Sequence, residues 1–149
     1  MEGFWRRFTL LSLLALAGAC GYVSFGRRVG TDEILLQQEI RAFYNDVQRA
    51  FAAGNPDALA ELFSASITHP MNHAEIRAWA EKFFLENKNA HFRIDTLVFD
   101  ELGYVQAVVT LTYKVETPGG KGDFGATERD TLVKHRRHWY ISAWDKLKR

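Results

Sequence analysis

Cysteine is nearly absent from this chain: Cys20 is the only one in 149 residues. No intramolecular disulfide can therefore staple it, and a core must hold the fold. An excess of charge is lacking too. Nineteen Lys and Arg against eighteen Asp and Glu leave a formal net charge of +1. That argues against a dedicated nucleic-acid binder, because neutralising phosphates needs a basic surface. The one basic knot, Lys134 to His138, reads as a solvated turn. No Ser nucleophile elbow, P-loop or dinucleotide glycine fingerprint is present. Prolines number three, and each falls where an element begins or ends. What remains is 47% apolar residues, which suits one compact domain with a sizeable core.

The N-terminus stands apart. Arg6 and Arg7 precede a twelve-residue apolar run, Phe8 to Ala19, which has the form of a signal-peptide h-region and is too short by itself to cross a bilayer. The run ends Leu16-Ala17-Gly18-Ala19-Cys20, and small residues before a lone Cys resemble a bacterial lipobox, implying lipidation of Cys20. Two alternatives stand beside it. Tyr22, Val23 and Phe25 extend the run into an uncleaved anchor ending at Arg27-Arg28, or a soluble signal peptide is cut near Ala19. We expect a leader or anchor over 1–19, a tether over 20–31, and one domain over 32–149. The implied address is a bacterial cell envelope, membrane-anchored, with the domain facing the periplasm or exterior.

Within the domain, Leu36, Ile40, Phe43, Tyr44, Val47 and Phe51 fall on one helical stripe between Thr31 and Ala53. Gly54 closes that helix. Asn55-Pro56 restarts a short one, with an Asn cap and Pro at its first position; Leu59, Leu62 and Phe63 form its buried side. Ser66 to His69 reads as a small edge strand ending at Pro70. Asn72 and Glu75 form a capping box for a helix to about Asn87 that buries Ile76, Trp79, Ala80 and Phe83. Two strands follow, His91 to Asp100 and Tyr104 to Thr117. In the second, Val105, Ala107, Val109, Leu111, Tyr113 and Val115 alternate with Tyr104, Gln106, Val108, Thr110, Thr112 and Lys114. Pro118 to Asp123 is a loop. The order is α+β, with the helices collected on one face of an antiparallel meander.

The C-terminal stretch Thr127 to Lys146 reads as a hairpin about Arg136-Arg137. A two-residue turn pairs His135 with His138, Lys134 with Trp139, Leu132 with Ile141, Asp130 with Ala143 and Glu128 with Asp145. With side chains alternating strictly, Leu132, Trp139 and Ile141 share one face with Glu128, Asp130 and Asp145. The other face carries Arg129, Thr131, Val133, Tyr140, Ser142 and Trp144. A turn one residue longer would dissolve the acid cluster, and Arg-Arg lacks the positive-φ tolerance of Asn-Gly.

This order resembles the nuclear transport factor 2-like superfamily, and within it the SnoaL-like small bacterial domains. The segments AFAAGNPDALAELFS and NHAEIRAWAEKFF, with a final hairpin bearing Trp139 just after its turn, carry the likeness over about residues 32–147. It implies a cone-shaped, cystatin-like fold: a curved antiparallel sheet of four long strands wrapped around three N-terminal helices. It implies no single function, since such folds host enzymes and non-catalytic modules alike.

The best candidates for proton transfer are Glu128, Asp130 and Asp145, with Tyr113 beside them, because crowded carboxylates cannot all ionise cheaply. Their bland reading is pairing with Arg77, Lys82, Arg93 or Arg129 at a solvated rim. His69 is a further acid–base candidate. Tyr44, Trp79, Tyr113 and Trp144 are candidate ligand-lining aromatics. No metal is expected: Pro70 and the Asn72 cap break the His69–His73 spacing, and nothing completes a shell around His135 and His138. No cofactor is implied. The leading expectation is a membrane-tethered domain without catalysis that binds a small apolar ligand or a protein. Its partner could be a second copy on an outer sheet face of Tyr104, Val108, Tyr140 and Trp144, or a membrane assembly. The alternative is a cofactor-independent isomerase, cyclase or dehydratase. A deep apolar cavity ending on a buried carboxylate favours the enzyme, and a filled cone with its acids in solvent favours the binding module.

Overall fold

A computed structural model describes residues 30–147. The expected leader, the tether and Cys20 lie outside the described residues. Among the described residues, no helix is long and apolar enough to cross a membrane. Helix α1 spans Thr31–Ala53 and buries Leu36, Ile40, Phe43, Tyr44, Val47, Ala50 and Phe51, the stripe set by the 3.6-residue period. It stops where Gly54 takes φ +59°, a conformation glycine adopts without a Cβ clash. Helix α2, Pro56–Ala60, has Asn55 as its cap, the side chain accepting from the Ala58 amide. Helix α3, His73–Glu86, opens on the Asn72–Glu75 capping box. It buries Ile76, Ala80, Phe83 and Phe84, whereas Trp79 stays 37% exposed.

Four antiparallel strands follow in the order β1-β2-β3-β4: His91–Leu102, Gln106–Glu116, Phe124–His135 and His138–Lys146. On β2, Ala107, Val109, Leu111, Tyr113 and Val115 are buried, while Val105 lies exposed before the strand begins. On β1 the partly buried apolar residues change parity twice, from Phe92 and Ile94 to Leu97 and Phe99 and then to Leu102. Asp95 and Asp100 are each one residue too many for the register with β2. Such bulges bend a strand and increase its twist, which curls the sheet around α1. The expected edge strand over Ser66 to His69 is absent. The segment just before it does that work instead: Ser64 donates to the Ile141 carbonyl (2.8 Å) and Ile141 to that of Leu62 (3.0 Å). Phe63 thereby bridges to β4 and covers an edge that would otherwise be open.

The β3–β4 turn is the two-residue form, with Arg136 at φ +47° and Arg137 at φ +72°. Both central residues with positive φ suit the twist of a hairpin even without glycine. Pairing runs as expected from His135–His138 to Leu132–Ile141 and then departs from it. Thr131 faces Ala143, so Ser142 is an extra residue, and its hydroxyl donates to the Thr131 carbonyl (3.0 Å). Beyond this bulge Asp130 pairs with Trp144, Arg129 with Asp145 and Glu128 with Lys146. The strict alternation assumed from sequence is broken there, and Trp144 and Asp145 exchange faces.

Candidate functional site

The concave face of the sheet, α1 and α3 enclose a cavity of about 500 Å³. Its walls are aromatic. Trp79 stacks on Phe83 (5.3 Å between centroids), Phe83 meets Phe124 edge-on (5.7 Å), and Phe124 meets Tyr113 (6.3 Å), which stacks on Phe92 (4.9 Å). Trp144 packs against Phe63 (5.3 Å) and also lines the space. All four aromatics singled out from sequence, Tyr44, Trp79, Tyr113 and Trp144, line this cavity. Trp144 does so only because of the Ser142 bulge, and it therefore leaves the outer sheet face expected for a homodimer. A second, more open groove of about 640 Å³ lies between α1 and the hairpin tip. There Glu39 Oε2 accepts from both Lys134 (2.5 Å) and Trp139 (3.2 Å).

Two tyrosine–carboxylate pairs line the aromatic cavity. Tyr44, on the buried stripe of α1, donates to Asp130 Oδ2 on β3 at 2.6 Å. Tyr113 on β2 donates to Glu128 Oε1 at 2.8 Å. Asp130 and Glu128 stand two apart on one strand and so share a face. Asp130 is 3% exposed, and its Oδ1 is buried with no hydrogen-bond partner. Burial pushes the Asp130 carboxyl up from its ordinary 3.8 to about 7, against the Tyr44 hydrogen bond that lowers it, and with a smaller push from Glu128. Burial also raises Glu128, while the Tyr113 bond and the charge of Lys146 pull it back. Both tyrosines are held neutral, raised first by burial and then by the acid each one meets.

The bland reading does not hold for these two acids. Arg77 pairs with Asp57 and Glu81, Arg93 with Asp95 and Glu116, and Arg129 with Asp100. Asp145 is the correction in the other direction. The bulge turns it away from Glu128 and Asp130, and it meets His69 at 3.6 Å with both side chains largely exposed. The expected three-acid cluster is thus a pair inside and one acid outside. Among the described residues, no group of three or more metal-ligating side chains comes together. Sequence reasoning missed the Tyr44–Asp130 bond, which spans 86 positions. It also missed Lys146 at the cavity's edge. The only available signal for Tyr44 was a hydroxyl on an otherwise apolar stripe.

A carboxyl that titrates near neutrality at the end of an apolar cavity can accept and return a proton at physiological pH. Tyr44 fixes its orientation and stabilises its anion. Tyr44→Phe is therefore expected to push the Asp130 carboxyl still further up, by about 1–2 pH units. A hydrogen bond to a charged group contributes about 1.5–3 kcal/mol, and one pH unit corresponds to about 1.4 kcal/mol. Carboxyl-detected NMR titration of Asp130 reads this directly, and an unchanged midpoint would show that the bond does not tune the acid.

No family model matches the sequence, and no curated protein matches it significantly. Solved structures do. A protein of unknown function from Mycobacterium tuberculosis superposes with a TM-score of 0.67 at 14% identity, covering 80% of this chain and 76% of that one. A domain of unknown function with a cystatin-like fold from Nostoc punctiforme gives 0.59 at 19%, covering 77% and 78%. A candidate dehydratase of the NTF2-like family from Streptomyces avermitilis gives 0.59 at 12%, covering 74% and 94%. At such identities the likeness speaks for architecture, not activity. The chain has a cystatin-like, nuclear transport factor 2-like fold, a curved four-stranded sheet closed over a pocket by helices.

Proposed function

We propose that the cone binds a small, mostly apolar molecule and that Asp130 moves a proton on it, in a cofactor-independent isomerase, cyclase or dehydratase reaction. One observation carries this reading: Asp130 lines an apolar cavity and keeps a buried carboxylate oxygen without a hydrogen-bond partner. A buried polar atom left unpaired costs stability in the free protein, and a ligand that meets it recovers that cost. The three reaction types share a first step, removal of a proton from carbon next to a carbonyl. Asp130 would take that proton, and Tyr44 would hold the carboxylate in place. Aromatic walls would keep water away from the anion while it exists. This departs from the expectation of a domain without catalysis, because the cone is hollow and its acids are inside it. We also propose that a leader or anchor over 1–19 and a tether over 20–31 hold the pocket at a membrane outside the cytoplasm. The run Phe8 to Ala19 ahead of Cys20 supports this reading, and the intact mass of Cys20→Ala beside wild type, both from membranes, tests it. Acyl mass lost in the variant is the expected result.

Deuterium exchange next to the carbonyl of cyclohexanone and of N-methyl-4-piperidone, followed by NMR in D2O, tests the chemistry. The protein should accelerate exchange of at least one ketone, faster as pH rises through about 7. Asp130→Asn should lose about 10²–10⁴ of the acceleration, the usual contribution of a positioned acid–base group. If neither ketone exchanges faster than in buffer, the domain binds without catalysis.

A further inference from the structure

We propose that the ligand of this cone is a protonated amine carried on a small apolar body. The inference rests on the reading of the cone as a ligand pocket, and it names the chemical class that fits. Consider first the charges around the cavity. Its titratable lining residues are Tyr44, Tyr113, Glu128, Asp130 and Lys146. Two carboxylates therefore stand against one lysine, with no arginine or histidine among the described lining residues. Both carboxylates are buried, while Lys146 is exposed at the end of β4, opposite Glu128 in register. An anionic ligand would meet two like charges in a site of low polarity, where repulsion is poorly screened. A neutral hydrocarbon would leave Asp130 Oδ1 as it is now, buried and without a donor.

A protonated amine answers both problems. Its N–H donates to the carboxylate pair, and its charge offsets the cost of ionised carboxylates held away from water. The walls suit it as well. The rings of Phe92, Tyr113, Phe124, Phe83 and Trp79 form a continuous aromatic surface with successive centroids 4.9–6.3 Å apart. Aromatic faces attract cations most strongly where the cation is desolvated. Hydroxyl donors do not compete for Oδ1, since Tyr44 is committed to Oδ2 and Tyr113 to Glu128.

The test compares two probes of one shape, N,N-dimethylbenzylamine and its neutral isostere isobutylbenzene, by quenching of tryptophan fluorescence at pH 8. Trp79 and Trp144 report from the cavity. The amine should bind at least tenfold more tightly, and Asp130→Asn should bring the two probes to within about twofold. Glu128→Gln should narrow the preference too, which keeps the test open if one variant folds poorly. Equal or tighter binding of isobutylbenzene, or a preference untouched by Asp130→Asn, overturns the amine assignment and leaves the pocket standing. Failure of both probes to bind overturns the pocket reading as well.

Discussion

Asp130→Asn is expected to make the folded protein about 2–4 kcal/mol more stable at pH 8 and no more stable at pH 4. The folded state holds the Asp130 carboxyl at about 7 against an ordinary 3.8. Between those values the native protein keeps a proton that the unfolded chain has released. A raised folded value therefore gives stability that is complete below 3.8 and disappears as pH climbs to about 7. At about 1.4 kcal/mol per pH unit the whole loss is about 4 kcal/mol. Asparagine keeps the shape and can still accept from Tyr44, but it carries no charge to bury.

Urea unfolding of both proteins at pH 4 and pH 8 reads the difference. Glu128 is raised in the same direction and Glu39 is lowered in the other, so neither protein's own pH profile isolates Asp130. The difference between the two profiles does. A gain at pH 8 that is also present at pH 4 would mean that asparagine packs better, not that a buried charge was removed. No gain at either pH would mean that the carboxyl is already ionised at little cost. A buried group that lowers stability in this way is a candidate for function.

Deleting Ser142 is expected to cost about 2–3 kcal/mol, less than the ~3–5 kcal/mol for removing a fully buried aromatic, because Trp144 is partly buried. Without the extra residue, strict alternation returns beyond Ile141. Trp144 then turns to the outer face, losing Phe63, and Asp145 turns inward toward Glu128 and Asp130. A third carboxylate would enter a space that already holds two acids with raised pKa values. Ser142→Ala keeps the residue count and removes only the hydroxyl bond to the Thr131 carbonyl, so it should cost about 1 kcal/mol. Denaturant unfolding separates the two variants. Trp144 emission should move toward that of solvent-exposed indole in the deletion and hold in the alanine variant. Equal stabilities would mean that the sheet absorbs the deletion elsewhere and that the bulge does not place Trp144.

Much of the fold is legible in the residues because it is set within a few positions of each of them. The α1 stripe, the Asn55 and Asn72 caps, the Gly54 stop and the alternation on β2 all follow from local sterics and helical or strand period. The Arg136-Arg137 turn is a borderline case. The pairing of the strands demanded two residues there, and their left-handed backbone was accepted although neither is glycine. The hydrophobic faces of the hairpin outweighed the preference of the turn.

The site divides along the same line. The sequence by itself determined that helices would close over a meander and that Glu128 and Asp130 would share a face with the core residues Leu132 and Ile141. Only the tertiary structure decided where Asp145 and Trp144 point, because the Ser142 bulge depends on how β4 fits β3, the Phe63 segment and the curvature of the whole sheet. Period two carries no record of an inserted residue. It likewise decided that Tyr44 meets Asp130, a contact between residues 86 positions apart. Local propensity acts over a few residues, whereas a pocket is made by surfaces that meet only after the chain has folded.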